Sequence, residues 1–456
     1  MKSINLRDFF MIDHLRIAAI LFFTVAFASA AVFAQPAAAV NDASKLVTEF
    51  EVNGLKVLVK QRPAAPTFSG GLFFKGGVRN YTPETAGIEN FTLNVATEAG
   101  KRFNRQQVRR ELSRTGSSLA GSAGSDFGVV SFVSTKENFD RIWNVFTDVT
   151  LEPAFATEDV ERVRQQLLAG LRERETSPDA ALTAAQERVL YAGHPYGIDS
   201  QGTIPTVQGL SAAQLRDHHK KLMQTSRMLL VIVGDIDPKL VREKVEAAFG
   251  KLPRGDYKHE PLPALDFSKQ TLDVTNRSLQ TNYVQGAFPA PSLADPDYYA
   301  MRVAVTILQQ LVYQEVRIQR QLSYAPNAEM NNQAVNYGFL YVTTVDPNQS
   351  VEVMLDQVNL LRTQTVTDEF IGGMAGQFVT QYYTDQQTNA AQAAELARYE
   401  LIGGGWRRSF EFLEKMTAVT ALDVRRVSEK YLKNFRFVVV GDPRSADPAV
   451  FTAQSR

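Results

Sequence analysis

The chain has 456 residues, and its 49 lysines and arginines balance 49 aspartates and glutamates, so its formal net charge is zero. With 44% hydrophobic and 21% charged residues it has ordinary globular composition, which excludes a disordered chain and a nucleic-acid surface built on bulk positive charge. It contains no cysteine, which excludes disulfides, thiolate nucleophiles and cysteine-ligated metals. The length predicts two to three domains.

Residues 1–34 have the pattern of a secretory signal peptide. Lys2, Arg7 and Arg16 precede an apolar run over 17–34 that ends in small residues. A basic segment, an apolar run and an alanine-rich end are typical of a cleaved export signal. We expect cleavage near Ala34, with Ala30 as the alternative, and hence a periplasmic or otherwise exported protein. An uncleaved membrane anchor is the competing interpretation.

Turn and capping signals then predict alternating strands and helices. Asn53-Gly54 predicts a hairpin over 46–59, and Asn104 is the expected N-cap of a helix over 105–114. The other predicted elements of the first half are strands at 67–74, 128–134 and 228–233 and helices at 84–98, 138–149, 158–175, 180–192, 211–222 and 238–249.

The second half repeats part of this pattern. Strands 229–235 and 128–134 are echoed by 437–442 and 338–344, and helix 211–222 by 420–432. A proline-containing linker over 251–270 separates the halves. We therefore predict an α+β protein of two homologous domains, at 46–250 and 271–445. Each is expected to be a mixed or antiparallel sheet with helices packed on one face.

Several motifs occur in a characteristic order along the chain. A strand end at 74–79 leads into a helix carrying Asn90, Leu93 and Asn94. Gly-His-Pro-Tyr-Gly follows at 193–197, and Gln-Glu-Val-Arg precedes Leu-Ser-Tyr in the second half. This frame resembles the M16 (pitrilysin/insulinase, mitochondrial processing peptidase) metallopeptidases. The resemblance implies a helix with H-x-x-E-H, whose histidines bind Zn²⁺ and whose glutamate is the general base, and a further glutamate ligand downstream.

The metal-binding residues of that family are replaced in this chain. Asn90, Leu93 and Asn94 stand at the H-x-x-E-H positions, and Leu168, or its neighbour Ala169, stands at the position of the downstream ligand. Amide and aliphatic side chains are poor Zn²⁺ ligands, and leucine cannot accept a proton. The resemblance thus implies that this chain holds no metal and has no peptidase activity alone.

The histidines do not suggest a rebuilt metal site. His218 and His219 are neighbours on a predicted helix, about 100° apart, and cannot both face one ion. A site made of carboxylates alone is the weaker alternative. Glu89 is expected to be solvated or capping, and Glu161 to pair with Arg164 or Arg162. The five histidines are His14, His194, His218, His219 and His259.

Arg317 and Tyr324 match a further pattern of the family. The resemblance implies that an arginine and a tyrosine with this spacing hold the substrate backbone and polarise the scissile carbonyl. The alternative is that Arg317 pairs with an acid and Tyr324 is half-buried packing. The glycine-rich turn that often precedes this arginine is missing at 307–313, and the glycines at 403–405 are interpreted as a structural loop.

These observations lead to one main functional hypothesis. The chain is expected to be the non-catalytic subunit of an exported M16-type zinc peptidase heterodimer. It would enclose and bind peptide, while its partner carries zinc and an intact H-x-x-E-H, and Arg317 and Tyr324 would act in the partner's active site. The alternative is a homodimeric peptide-binding or scaffolding protein without peptidase activity.

Overall fold

A computed structural model describes residues 43–258 and 260–452, and the strands in these ranges form two sheets. The signal segment and His259 lie outside the described residues. The strands of the first sheet are β1 (Val47–Val52), β2 (Leu55–Gln61), β3 (Thr67–Lys75), β4 (Ser118–Ala123), β5 (Phe127–Thr135) and β6 (Met228–Gly234). Those of the second are β7 (Thr271–Asn276), β8 (Asn282–Pro289), β9 (Asn327–Met330), β10 (Tyr337–Thr344) and β11 (Arg436–Gly441).

Helices alternate with these strands in both halves. The helices of the first half are α1 (Ile88–Ala96), α2 (Arg105–Thr115), α3 (Phe139–Leu151), α4 (Thr157–Thr176), α5 (Pro178–Leu190), α6 (Ile204–Gly209), α7 (Ala212–Leu222) and α8 (Pro238–Phe249). Those of the second half are α9 (Tyr298–Val312), α10 (Pro347–Thr363), α11 (Asp368–Asp385), α12 (Asn389–Ile402), α13 (Phe412–Thr417), α14 (Ala421–Tyr431) and α15 (Pro448–Thr452).

The two sheets share one topology. The first has strand order β1-β2-β6-β3-β5-β4, and the second has β7-β11-β8-β10-β9. In both, the first crossover pair (β2 with β6, β7 with β11) is parallel and the later pairs are antiparallel. The second sheet therefore has the same strand order as the first sheet, except that it has no counterpart of β1. The predicted mixed α/β architecture is confirmed.

Each sheet is covered on one face by helices of its own half. Helices α3 and α8 place aromatic and branched side chains, including Trp143 and Phe249, against β3 and β6. In the second half, α9, α10 and α14 cover the corresponding face. These helices of the same half therefore pack on one face of their sheet, as predicted, whereas the helices on the other face were not predicted.

The opposite faces are covered by an exchange of helices between the halves. Helix α12 of the second half packs Leu396 and Ala397 against β3 and β6 of the first sheet. Helix α5 of the first half packs Leu182 and Ala185 against Val438 of the second sheet. Because both faces of β6 and β11 are covered, these two strands are buried along their whole length.

Local signals specified several element ends correctly. Asn53 and Gly54 both have positive φ, 48° and 89°, as the two-residue turn between β1 and β2 requires. Asn104 accepts a hydrogen bond from the Gln107 amide and caps α2 as predicted. The predicted helix over 84–98 is shorter, because residues 83–85 form a separate 3-10 turn and Gly87 adopts a left-handed conformation before α1 begins.

Candidate functional site

The motif helix α1 lies directly on the edge of the first sheet. A Cβ atom added at Gly121 of β4 would come within 2.1 Å of the Leu93 carbonyl oxygen, so only glycine allows this approach. A Cβ at Gly128 of β5 would lie 2.5 Å from the Glu89 carboxylate. The residues of α1 that face the sheet are consequently buried, including Asn90 and Leu93, two of the three motif positions.

Amide groups occupy the position where the family would place its histidines. The Asn94 Nδ2 group donates to the Asn90 carbonyl oxygen at 2.8 Å and to Asn90 Oδ1 at 3.1 Å. Asn90 Nδ2 donates to Gln201 Oε1 at 3.0 Å, and Asn90 Oδ1 accepts from the Ala123 amide at 3.3 Å. Gln201 completes the network by donating to the Ala123 carbonyl at 2.9 Å. The amides thus bond to one another and to β4.

The remaining two positions of the expected metal site are apolar. Leu93 is 1% exposed and packs into the core between α1 and the sheet. Leu168 is 2% exposed on α4 and packs with Phe91 and Val95. The residues at these positions therefore do not fit a zinc ion. Across residues 43–258 and 260–452, no group of three or more potential ligands from His, Cys, Asp and Glu is placed to hold a metal.

Glu89 is not solvated, and the expectation that it is a solvent-exposed or capping residue was wrong. It is 0% exposed, and its Oε2 lies 3.4 Å from Arg227 Nη2 and 3.4 Å from His218 Nε2. Arg227 also donates to the Lys75 carbonyl and stacks on the Tyr257 ring at 4.7 Å. Glu89 immediately precedes Asn90 on α1, so a buried ionic cluster adjoins the amide network.

The histidines of the described chain have separate partners. His219 Nε2 lies 2.8 Å from the Thr150 carbonyl oxygen, whereas His218 faces Glu89. His194 lies in the turn at 193–197, where its Nδ1 accepts from the Tyr196 amide and its Nε2 lies 3.1 Å from the Pro263 carbonyl. Burial lowers the pKa of both His194 and His219. Each imidazole therefore has a structural contact of its own.

Glu161 forms one of the two ion pairs considered for it. Its Oε2 accepts from Arg164 Nε at 3.0 Å, and its Oε1 accepts from Gln165 at 2.6 Å. The Gln165 hydrogen bond and the Arg164 contact lower the pKa of this exposed carboxyl group. Arg162 pairs instead with Glu98.

Arg317 and Tyr324 lie together on the surface of the second half. Helix α9 continues without a break into a π-helical segment, Tyr313–Gln319, which carries Arg317. The Arg317 guanidinium lies 4.1 Å from the centre of the Tyr324 ring and 5.1 Å from that of Tyr313. Such stacking fixes the planar guanidinium without using a carboxylate.

The alternative roles of this pair find no support in their contacts. Tyr324 is 79% exposed, so it is not half-buried packing. In the described chain, Arg317 makes no ion pair, and the nearby Glu315 pairs with Arg320. The residues at 307–312, where the glycine-rich turn is missing, belong to the regular helix α9, and the π-helical segment begins directly after them. Short π-helical segments occur frequently at functional sites.

The glycines at 403–405 form the loop after α12, as interpreted from the sequence. The Gly405 amide donates to the Tyr399 carbonyl at 2.9 Å, and Gly404 and Gly405 both have positive φ.

Among the residues that the structure describes, no helix has the length and apolarity needed to cross a membrane.

Two family models match consecutive parts of the chain. Residues 56–203 match the insulinase (peptidase family M16) model, and residues 209–371 match the peptidase M16 inactive domain. An uncharacterized zinc protease of Streptomyces coelicolor is 21% identical over 393 residues, covering 83% of this chain and 85% of that protein. The mitochondrial-processing peptidase subunit beta of Saccharomyces cerevisiae is 21% identical over 253 residues. That alignment covers 54% of each chain, so this chain matches about half of the yeast subunit's length.

Solved structures share the fold. A peptidase M16 inactive domain from Pseudomonas fluorescens has a TM-score of 0.78 at 19% identity, covering 88% of this chain and 100% of that one. A chain of complex III2 from Candida albicans has a TM-score of 0.74 at 19% identity, covering 90% and 99%. The model matched at 209–371 is that of an inactive M16 domain, so this part of the chain is similar to a non-catalytic M16 domain. Since the two family models together span most of the chain, it belongs to the peptidase family M16.

Proposed function

We propose that this chain is the non-catalytic subunit of an exported M16-type zinc peptidase. Its partner would be a second M16-type chain with an intact H-x-x-E-H and bound zinc. Export follows from the signal-peptide pattern at 1–34, with the segment removed near Ala34. The subunit would enclose and bind peptide, and the partner would supply the metal and the general base.

One contrast carries this proposal. The metal positions are filled by a satisfied amide network and two buried leucines, whereas Tyr324 stands exposed and the half-buried Arg317 forms no ion pair in the described chain. A guanidinium and a phenol are hydrogen-bond donors that can stabilise negative charge developing on a carbonyl oxygen. The chain therefore lacks the groups that activate water and retains groups suited to hold the substrate.

The test is to co-express the chain with a candidate partner and to vary the two donors. Arg317→Ala should leave assembly intact and lower the kcat/KM of the complex for peptides by roughly 10²–10³, the usual effect of losing one preorganised donor. Tyr324→Phe should cause a smaller loss, because water can replace its hydroxyl group. The chain alone should hold no zinc by elemental analysis and hydrolyse no peptide.

Matched controls are available on exposed surfaces elsewhere. Arg172→Ala on α4 and Tyr383→Phe on α11 remove the same groups from exposed positions and should leave kcat/KM unchanged. Unchanged kcat/KM for both Arg317→Ala and Tyr324→Phe, in a complex with an active partner, would limit this subunit to enclosure.

A homodimeric peptide-binding or scaffolding protein is the second candidate. The structural similarity to a chain of complex III2 favours it, because that chain belongs to a large assembly. Sedimentation of the purified chain, with and without the candidate partner, distinguishes a stable homodimer from a heterodimer.

A further inference from the structure

A small cavity lies among three helices of the second half, in a region that the proposed peptidase role does not use. Helices α9, α11 and α12 surround it, and its volume is about 170 Å³. Cavities of about 150 Å³ accept a molecule the size of benzene. The space is therefore sufficient for a small organic ligand.

Two arginines reach this cavity from different helices. Arg302 projects from α9 and Arg398 from α12, and both are half-buried. Neither forms an ion pair with any carboxylate of the described chain, although burial favours pairing of such charges. Tyr298 lines the same cavity; burial raises the pKa of its phenol, and the positive charges of both arginines oppose that rise.

Two carboxyl groups line the same cavity. Glu395 Oε2 accepts from Gln386 Nε2 at 2.5 Å, and Asp385 Oδ1 accepts from Gln381 Nε2 at 2.7 Å. Burial raises the pKa of Glu395, while the charges of Arg398 and of Lys60 on β2 lower it. The cavity thus presents two guanidinium groups and two carboxyl groups within one small volume.

Aromatic rings form the remaining walls. Tyr382 and Phe412 stack with ring centres 5.6 Å apart and an interplanar angle of 12°, and Tyr399 lies beside them on α12. Apolar and aromatic walls with a few convergent polar groups are the usual composition of a small-molecule site. The walls therefore combine aromatic rings with charged groups of both signs.

We propose that this cavity binds a free α-amino acid with an apolar side chain. The ligand carboxylate would contact Arg302 and Arg398, since guanidinium groups match carboxylates in geometry and charge. Its ammonium group would face Glu395 and Asp385, and its side chain would lie against Tyr382 and Phe412. The site involves only this chain and does not depend on the proposed partner.

The ligand would also affect the contact between the halves. The face of α12 opposite the cavity packs on the first sheet through Leu396 and Ala397. A ligand that binds only the folded chain raises its stability as its concentration exceeds Kd. Binding should therefore raise the Tm of the whole chain.

Isothermal titration calorimetry and thermal melting of the mature chain test the proposal with L-phenylalanine, L-leucine and L-methionine. At least one should bind and raise Tm. Two analogues of phenylalanine probe the charges: 3-phenylpropionate lacks the amine, and phenethylamine lacks the carboxylate. Each analogue should bind at least about tenfold more weakly than phenylalanine, in line with the loss of a hydrogen bond to a charged group. Failure of all three amino acids to bind, or equal binding of either analogue, would overturn the proposal.

Three variants locate the site. Arg398→Gln should weaken amino-acid binding by about tenfold or more, whereas Arg172→Gln, at an exposed position on α4, should not. Glu395→Gln keeps the side-chain shape and should weaken binding of the amino acid but not of 3-phenylpropionate. It provides a test even if Arg398→Gln does not fold. Unchanged amino-acid affinity in Glu395→Gln, or in a folded Arg398→Gln variant, would refute this location.

Discussion

Glu89 and Arg227 form a buried ion pair across 138 positions of sequence. Both side chains are almost completely removed from solvent, at 0% and 6% exposure, which is costly unless the charges remain paired. The Glu89 Oε1 atom has no hydrogen-bond partner among the described residues, so the Oε2 contacts with Arg227 and His218 hold the carboxylate. The pair fixes the start of α1 relative to the residue that precedes β6.

Replacing either member of this pair should strongly destabilise the fold. Glu89→Met or Arg227→Met leaves one buried charge unpaired, which typically costs about 3–5 kcal/mol of unfolding free energy. The double variant should cost less than the sum of the two single variants, because neither charge then remains. Urea denaturation of the four proteins measures the coupling, and additive effects would show that the pair does not interact.

The amide network makes a related prediction for Asn90. Asn90→Ala removes the partner of Gln201 Oε1 and of the buried Ala123 amide, and one of the two acceptors of Asn94 Nδ2. We expect a loss of about 1–3 kcal/mol, the usual cost of leaving buried polar groups unsatisfied. Asn144→Ala, at an exposed position on α3, is the matched control. Equal melting temperatures for the two variants would contradict a structural role for the network.

For individual residues, the sequence predicts contacts between residues that are close along the chain but not between residues that are far apart along it. The Asn104 cap and the Glu161–Arg164 pair involve residues three apart, so helix geometry alone brings them together. The burial of Glu89 depends on Arg227 and on the close approach that Gly128 allows. Nothing in the local pattern around Glu89 distinguishes it from a solvated first-turn glutamate.

Among the secondary-structure elements, the exchanged helix α5 carries a carboxyl group with an altered pKa. Burial raises the pKa of Glu187 to about 7, and the negative charge of Asp199 adds to this while Arg174 opposes it. In the unfolded chain the group has its ordinary pKa of about 4.5. The folded state therefore binds more protons than the unfolded state between these two values.

This difference predicts the direction of a pH effect on stability. The contribution of Glu187 should be lost as pH rises from about 4.5 to 7, because ionising the buried group opposes folding. Glu187→Gln removes this loss, so the variant should gain stability relative to the native chain between pH 5 and pH 8. Glu173→Gln, at an exposed position on α4, should show no such trend in thermal melts. A constant difference in Tm across this range would exclude the effect.

From the sequence we did not predict strand β4, because the composition of this segment does not favour a strand. Strand β4 consists of serine, alanine, glycine and one leucine, and residues of this kind are not enriched in strands. Its small side chains are explained by α1, whose backbone lies against Gly121. The alternating strand β5 and the fully apolar strand β6 were recognisable because sheet burial leaves a periodic or continuous apolar pattern.

For the whole molecule, the internal repeat predicted two similar sheets. It did not predict that a helix from each half covers the sheet of the other half. The spacing of apolar residues in a helix shows which face of that helix is buried, but it does not show against which sheet the helix packs. The hydrogen bonds at the crossing reinforce the exchange, since Arg62 Nη1 donates to Asn389 Oδ1 at 2.6 Å and Gln186 Nε2 donates to the Arg436 carbonyl at 3.2 Å. Each half therefore completes the core of the other.

We expect neither half to fold stably alone. A fragment of residues 43–258 lacks α12 and would expose the face of β6 formed by Leu229, Val231 and Val233. A fragment of residues 260–452 lacks α5 and would expose Val438 and Val440. Exposed apolar faces of this kind promote aggregation, so each fragment should give poorly dispersed NMR spectra or precipitate.

The fragments should recover the fold when they are produced together, because the exchanged helices can then reach their sheets. Size-exclusion chromatography should show a one-to-one complex, with a Tm approaching that of the intact chain. The control is the full chain with a protease site inserted between 250 and 271, cleaved after folding, which should remain associated. Cleavage breaks the covalent connection between the halves and leaves the linker residues in place, so the cost is one of chain entropy. The cleaved protein should melt below the intact one but in a single transition. Cooperative melting of either isolated fragment would mean that the exchanged helix is dispensable and that the two halves are independent domains.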